Sequence, residues 1–363
     1  MALPSGSPAP ETREAAAVAG ALRVAAVGGG TGLPNVLRGL RPLVYPEGIP
    51  GQDPGDDRLV AIVTTTDDGG SSGRLRREFG IIPPGDIRNC LAALAERESD
   101  LTALFQFRFE AGDGLNGHSV GNLMLTALTE VTGDFTKAVE IAGQVVGARG
   151  RVVPATAAPV TLSAELADGR AVSGETAIVT AGCGIRRLTL IPAEPPCVDV
   201  ALDALRRAHV IIAGPGSLYT SILPALLIPE LREAIRLADA VRVFVLNLMT
   251  EPGETDGFGA VRHLAVVHEH VGSQPFDFVV FNTSPVPESL RQPYASRGSV
   301  PITVTTRDIE ALRALGVEPI GAPLASEGPA GRIRHHPGRL AAAIAACARF
   351  SPQRAAAAQR GLR

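Results

Sequence analysis

The sequence predicts an α/β fold built on a doubly wound, mostly parallel sheet, and three observations carry that expectation. Five short apolar runs recur, at residues 24–27, 59–65, 209–213, 241–246 and 277–281. Each ends in a loop rich in glycine, hydroxyl or acidic residues: GGGTGLP, DDGGSSG, GPGSLYTS, NLMTEPGETDG and NTSP. Helical stretches separate the runs, as expected of buried parallel strands crossed over by helices. Ligands of such sheets bind beyond the carboxyl ends of the strands. The five loops are therefore expected to converge on one crevice.

Taken in order, strand one covers residues 23–27 and the first helix starts near Pro34, where proline suits a first turn. A Pro/Gly/Asp insertion, residues 45–57, precedes strand two at 59–65. Residues 86–147 read as helical throughout, with Asp86, Ser99 and Asp134 placed to cap helices. Residues 151–192 are β-rich, and PVTLSAEL-ADGR-AVSGETAI has the alternation and turn of a hairpin. The βα alternation resumes over 198–324, and a last helix lies near 337–350. One domain, 22–350, is expected, with helical and β-hairpin insertions. Residues 1–21 read as a disordered tail and 351–363 as a loose one.

Composition narrows the function classes. Hydrophobic content of 45% supports a large core, and 20% charge excludes a disordered chain. A net charge of −3 argues against nucleic acid as the main partner. Lys137 is the only lysine, so no Gly-Lys-Ser/Thr exists and P-loop chemistry is excluded. Cys90, Cys183, Cys197 and Cys347 form no CxxC and read as reduced thiols. No apolar stretch approaches the roughly 18–20 residues of a membrane span. The start of the chain lacks the basic residues of a secretory signal. A cytoplasmic protein is expected.

The motifs point to a ligand site. In Gly28-Gly29-Gly30-Thr31-Gly32 the third glycine of a dinucleotide fingerprint would fall at Leu33, which disfavours a dehydrogenase. Glycines between a strand and a helix still favour an anion at the helix N-terminus. Asp67 and Asp68 repel each other unless compensated, and such a pair can hold a divalent cation or orient sugar hydroxyls. Gly69 to Gly73 offer backbone N–H groups, and Arg74, Arg76 and Arg77 offer forked donors to phosphate. Asn122, in the first turn after His118, could reach the crevice. His263, His268 and His270 lie on one helix without metal-ligand spacing, and His335-His336 read as surface.

With these motifs in place, the chain resembles the CofD/YvcK superfamily, most closely its YvcK branch, the gluconeogenesis factors. The matching segments are GGGTGLPNVLRGL, DDGGSSGRLRREFGIIPPGDIRNCLAAL, HSVGNLML, GPGSLYTSILPALL and NLMTEPGETDGF. The resemblance implies a Rossmann-like fold and a cytoplasmic bacterial protein that binds UDP-sugars, chiefly UDP-N-acetylglucosamine. It also implies a link to cell shape, cell-wall precursor supply and growth on gluconeogenic carbon, through an unidentified protein partner. A homo-oligomer is compatible with it. The nucleotide-sugar-binding residues expected on these motifs are Gly29, Gly30, Thr31, Gly32, Asp67, Asp68, Gly69, Gly70, Ser71, Ser72, Arg74, Asn122, Gly214, Gly216, Ser217, Asn247, Thr255 and Asp256. No cofactor is required on this reading. The sister branch, CofD, implies an alternative: magnesium-dependent transfer of a phospholactyl group to a deazaflavin, with the metal on Asp67 and Asp68. Phe258 departs from a polar aromatic frequent in relatives, which bears on ligand preference.

Overall fold

Strand β1 (Val24–Gly28) lies in the interior of a seven-stranded sheet, flanked by β2 (Leu59–Val63) and β7 (Val210–Ala213), the middle strand. The computed structural model describes residues 22–46, 56–96, 99–328 and 331–350. Both expected tails, and most of the 45–57 insertion, lie outside the described residues. Beyond β2 the sheet ends in β3 (Arg151–Pro154). Beyond β7 it continues through β8 (Val241–Val245), β9 (Phe278–Asn282) and β10 (Glu318–Ala322). Every neighbouring pair is parallel. The chain runs outward from β1 to β3 and then returns to the other side of β1. The switch point of this doubly wound, Rossmann-like sheet therefore falls between β1 and β7.

Alternation along the strands feeds two separate cores. Val24, Ala26, Ala61, Val63, Ile212, Val243 and Val245 face one layer, while Ala25, Val27, Val60, Ile62, Ile211 and Phe244 face the other. The first layer is covered by α1 (Gly32–Val44), which buries Leu33, Val36, Leu37 and Leu40. The helical insertion lies on the same side: α2 (Gly70–Phe79), α3 (Gly85–Leu94), α4 (Asp100–Gln106), α5 (Val120–Thr132) and α6 (Phe135–Val145). The second layer begins with a three-stranded antiparallel sheet of β4 (Thr161–Leu166), β5 (Ala171–Ser173) and β6 (Ile185–Ile191). Between β5 and β6 sits a short helix, α7 (Glu175–Ala181). The layer is completed by α8 (Asp199–Arg207), a π-helical turn at Leu218–Ile222, α9 (Leu223–Leu226), α10 (Pro229–Leu237) and α11 (Ala260–Val271). The remaining elements are α12 (Glu288–Ala295), α13 (Thr306–Ala314), a small antiparallel pair β11 (Ala325–Glu327) and β12 (Ile333–His335), and α14 (Pro337–Ala348). No helix among the described residues is long and apolar enough to cross a membrane.

Four local expectations need correction. The helical reading of 86–147 breaks after α4, because Gly112, Gly114 and Gly117 all take positive φ and residues 107–119 fold back through a Phe109 N–H to His118 carbonyl bond. The GETAI half of the expected hairpin is helix α7, entered through Gly174 at φ +97°. Asp86 does not cap: Pro84 holds the N-cap position of α3, and Asp86 sits in the first turn with its carboxylate elsewhere. Ser99 and Asp134 do cap, accepting from the Thr102 and Lys137 N–H groups at 3.3 and 3.1 Å. His335 is buried, and its Nε2 meets the Leu246 carbonyl oxygen at 3.1 Å. Burial holds its pKa down near 4.

Candidate functional site

Because all seven strands are parallel, the loops that follow them open on one edge, and the loops after β1 and β7 meet at the switch point. They meet by backbone contact. A Cβ on Gly32 would stand 2.0 Å from the Pro215 carbonyl oxygen and one on Gly216 would stand 3.5 Å from the Gly29 carbonyl oxygen, while one on Gly29 would meet the side chain of Thr64, after β2, at 2.3 Å. Gly30 takes φ +62°, the left-handed region that a side chain disfavours. The glycines let two loops pack against each other, a use that reading the sequence had given to ligand approach. Asn247, after β8, clamps the second loop: its Oδ1 accepts from Gly216 N–H at 3.0 Å and its Nδ2 donates to the Gly216 carbonyl at 2.8 Å. Gly214 lies tight against Ile222 and the Val245 carbonyl, while Ser217 caps the π turn through Thr220 N–H and donates to Glu254.

The packing leaves the N-terminus of α1 pointing into the opening. No side chain caps it, since the Thr31 hydroxyl instead accepts from Arg334 Nη1 at 2.6 Å. The first turns of α2 and α3 likewise carry no side-chain cap. These helices are held side by side, as Gly85 N–H donates to Ser72 Oγ at 3.2 Å and Asp86 reaches across to accept from Gly30 N–H at 2.5 Å. Gly69 N–H donates to Asp67 Oδ1 at 2.9 Å, and Gly70, at φ +45°, faces open space. The starts of α1 and α2 therefore keep uncapped N–H groups beside the glycine loop after β1, while the Gly85 N–H of α3 is taken by Ser72, a geometry suited to phosphate oxygens at the first two helices.

Other expected residues turn elsewhere. Asp68 points away from Asp67 and accepts from the Thr176 N–H and hydroxyl at 2.9 and 2.6 Å. Both bonds fall on Oδ1, so Asp68 is tied to the β insertion while Asp67 is tied to Gly69. Among the described residues no three His, Cys, Asp or Glu side chains gather as a metal-ligand set. Ser71, in the first turn of α2, turns inward between His118 Nδ1 at 2.8 Å and Asn122 Nδ2 at 3.0 Å, and Asn122 is buried there. Arg74 donates to the Asn116 carbonyl at 2.6 Å and Arg76 to Thr161 Oγ1 at 2.9 Å, so both brace insertions. Thr255 and Asp256 shape their own turn by accepting from the Glu251 and Gly253 N–H groups.

The family is decided by comparison with known proteins. A family model described as 2-phospho-L-lactate transferase CofD matches residues 24–325. The chain belongs to the CofD family. Within it, a relative from Nostoc sp. is 47% identical over 321 residues, covering 88% of this chain and 67% of its own length. The gluconeogenesis factor of Bacillus subtilis is 45% identical over 298 residues, covering 82% of this chain and 89% of that protein. A crystal structure of a Bacillus halodurans protein matches with a TM-score of 0.82 at 42% identity, covering 89% of this chain and 99% of that one. The resemblance read from the motifs therefore holds, both for the superfamily and for its gluconeogenesis-factor branch.

In this CofD-family chain the crevice carries carboxylates that its motifs did not announce. Asp86, Glu175 and Glu254 come from α3, α7 and the loop after β8. Burial raises Asp86 to about 6, and the charge of Asp67 adds to the effect. Glu175 rises to about 9, first through burial and then through Asp67, Asp86, Asp68 and Glu254. Its folded form thus keeps a proton that the unfolded chain releases near 4.5. The stability this provides is full below pH 4.5 and is lost as pH rises toward 9. Glu175→Gln, with no proton to lose, is expected to be more stable than the native chain at pH 9, and the two should converge near pH 5. Urea unfolding at pH 5, 7 and 9 checks this. Parallel pH curves would place Glu175 in open solvent.

Proposed function

We propose that the protein binds a UDP-sugar, chiefly UDP-N-acetylglucosamine, at the switch-point crevice and acts in the cytoplasm as a regulatory gluconeogenesis factor. On this reading it serves cell shape and cell-wall precursor balance through a protein partner. One observation carries the proposal: the first turns of α1 and α2 carry no side-chain cap, and they start beside Asp67 and beside Asp86, which is bonded to the Gly30 N–H of the glycine loop. Free N–H groups there suit a diphosphate, and the carboxylates suit ribose or sugar hydroxyls. The family's description as a transferase favours a second reading, in which the diphosphate ligand is a substrate and Asp67 helps hold magnesium.

Asp67→Asn tests the first reading. An amide keeps one acceptor oxygen for a sugar hydroxyl, so affinity for UDP-N-acetylglucosamine should fall by roughly 1–3 kcal/mol without vanishing. Calorimetric titration of both proteins measures the difference. Unchanged affinity would remove Asp67 from the ligand's contacts.

A further inference from the structure

The β insertion meets the crevice at two points. At one end, Asp68 in the loop after β2 grips Thr176 through both its N–H and its hydroxyl. Gly174 lies so near that a Cβ on it would stand 2.4 Å from Asp68 Oδ2. At the other end, Gly182 closes α7 and packs backbone against backbone on Gly253, in the loop after β8, where a Cβ would stand 3.0 Å from Gly182 Cα.

Strands β2 and β8 are separated in the sheet by β1 and β7. Three strand spacings amount to about 14 Å. A seven-residue helix with its two caps covers roughly 13 Å. The helix α7 therefore bridges the two strands on either side of the switch point. Its first residue, Glu175, is half-buried and feels carboxylates from the loop after β2, from α3 and from the loop after β8. Those elements border the crevice, and the Asp68–Thr176 bonds hold the start of α7 beside them.

We propose that α7 is the roof of the crevice and that Asp68 is its latch, a positioning residue that controls ligand entry and exit without touching the ligand. The inference rests on the nucleotide-sugar reading above and deepens it. The two anchors differ in kind. The Gly182–Gly253 anchor is close backbone packing, whereas the Asp68–Thr176 anchor is a pair of hydrogen bonds, one from the Thr176 N–H and one from its hydroxyl, to a single carboxylate oxygen at the surface. Such bonds open more readily than packed backbone, because water replaces the lost partners. Release of Asp68 would free the N-terminal end of α7, and Glu175 with it, from the loop after β2.

Surface plasmon resonance with UDP-N-acetylglucosamine on the immobilised full chain tests this, comparing Asp68→Ala, Thr176→Val and Thr176→Ser with the native protein. A latch alters the path while leaving the bound state nearly as it was. Asp68→Ala and Thr176→Val should therefore raise association and dissociation rates together, by about tenfold for the former, with Kd moving less than about threefold. Thr176→Ser, which keeps the hydroxyl, should behave as the native protein. Faster dissociation with unchanged association in Asp68→Ala would mark a plain ligand contact and overturn the latch. If no UDP-sugar binds the native chain, the nucleotide-sugar reading fails, and hydrogen exchange in the free protein still judges the latch. The α7 amides should then exchange about tenfold faster in Asp68→Ala. Equal exchange would overturn the latch.

Discussion

Gly32→Ala is expected to destabilise the folded protein by about 3 kcal/mol, at the upper end of ordinary overpacking. The new methyl group would stand 2.0 Å from the Pro215 carbonyl oxygen and 2.6 Å from its carbonyl carbon. Neither atom belongs to a flexible side chain that could swing aside. Relief requires moving either the start of α1, which buries Leu33 and Leu37, or the loop that Asn247 clamps at Gly216. Gly69→Ala is the control, since its Cβ meets nothing closer than 3.4 Å and its φ is −89°. That variant should fall within about 1 kcal/mol of the native chain. Urea denaturation of the two variants measures the contrast. Equal stabilities would mean that the loops after β1 and β7 do not pack as described.

UDP-N-acetylglucosamine is expected to stabilise the native chain, and NAD is not. At about a hundred times its dissociation constant, a ligand of the folded state alone adds about 2.7 kcal/mol. For a chain of this size that corresponds to a rise in Tm of roughly 3–4 °C. NAD should give no shift, because Leu33 replaces the third glycine of the dinucleotide turn and is fully buried in the core. A thermal-melt panel of UDP-sugars and nicotinamide nucleotides reads both outcomes. A shift with NAD and none with any UDP-sugar would overturn the proposed ligand class.

The fold was legible where periodicity and punctuation agree. All five apolar runs became central strands, with ends displaced by two residues at most. The edge strand β3 was read as part of the β insertion, because RVVP carries no mark of which sheet it joins. GETAI was read as a strand from its alternation. Its helical form depends on Asp68, more than a hundred positions away, which satisfies the Thr176 N–H. No local signal contains that bond.

The site was half legible for the same reason. Loops that follow strands can be counted in a sequence, and the glycines that let them meet are visible there. Which atoms they meet is not. Gly30 and Gly216 read as room for a diphosphate, whereas Gly30 packs near Ser221 on the facing loop and Gly216 packs between Ser221 of its own loop and the Gly29 carbonyl. Asp67 and Asp68 read as one pair, but successive residues point different ways and the two carboxylates part company at once. Asp86 reads in the sequence as a helix cap. Its bond to Gly30 N–H, and the arrival of Glu175 and Glu254 from distant elements, are products of topology alone.

The central claim, a nucleotide-sugar held by helix N-termini at the switch point, is tested most directly by one titration. UDP-N-acetylglucosamine is titrated calorimetrically into the native protein with magnesium and again with EDTA, and the nucleotide is recovered and analysed after each run. The predicted result is saturable binding of similar affinity in both runs, with the ligand recovered intact. Binding that vanishes with EDTA, accompanied by release of a nucleoside phosphate under magnesium, would contradict it and identify a metal-dependent transferase.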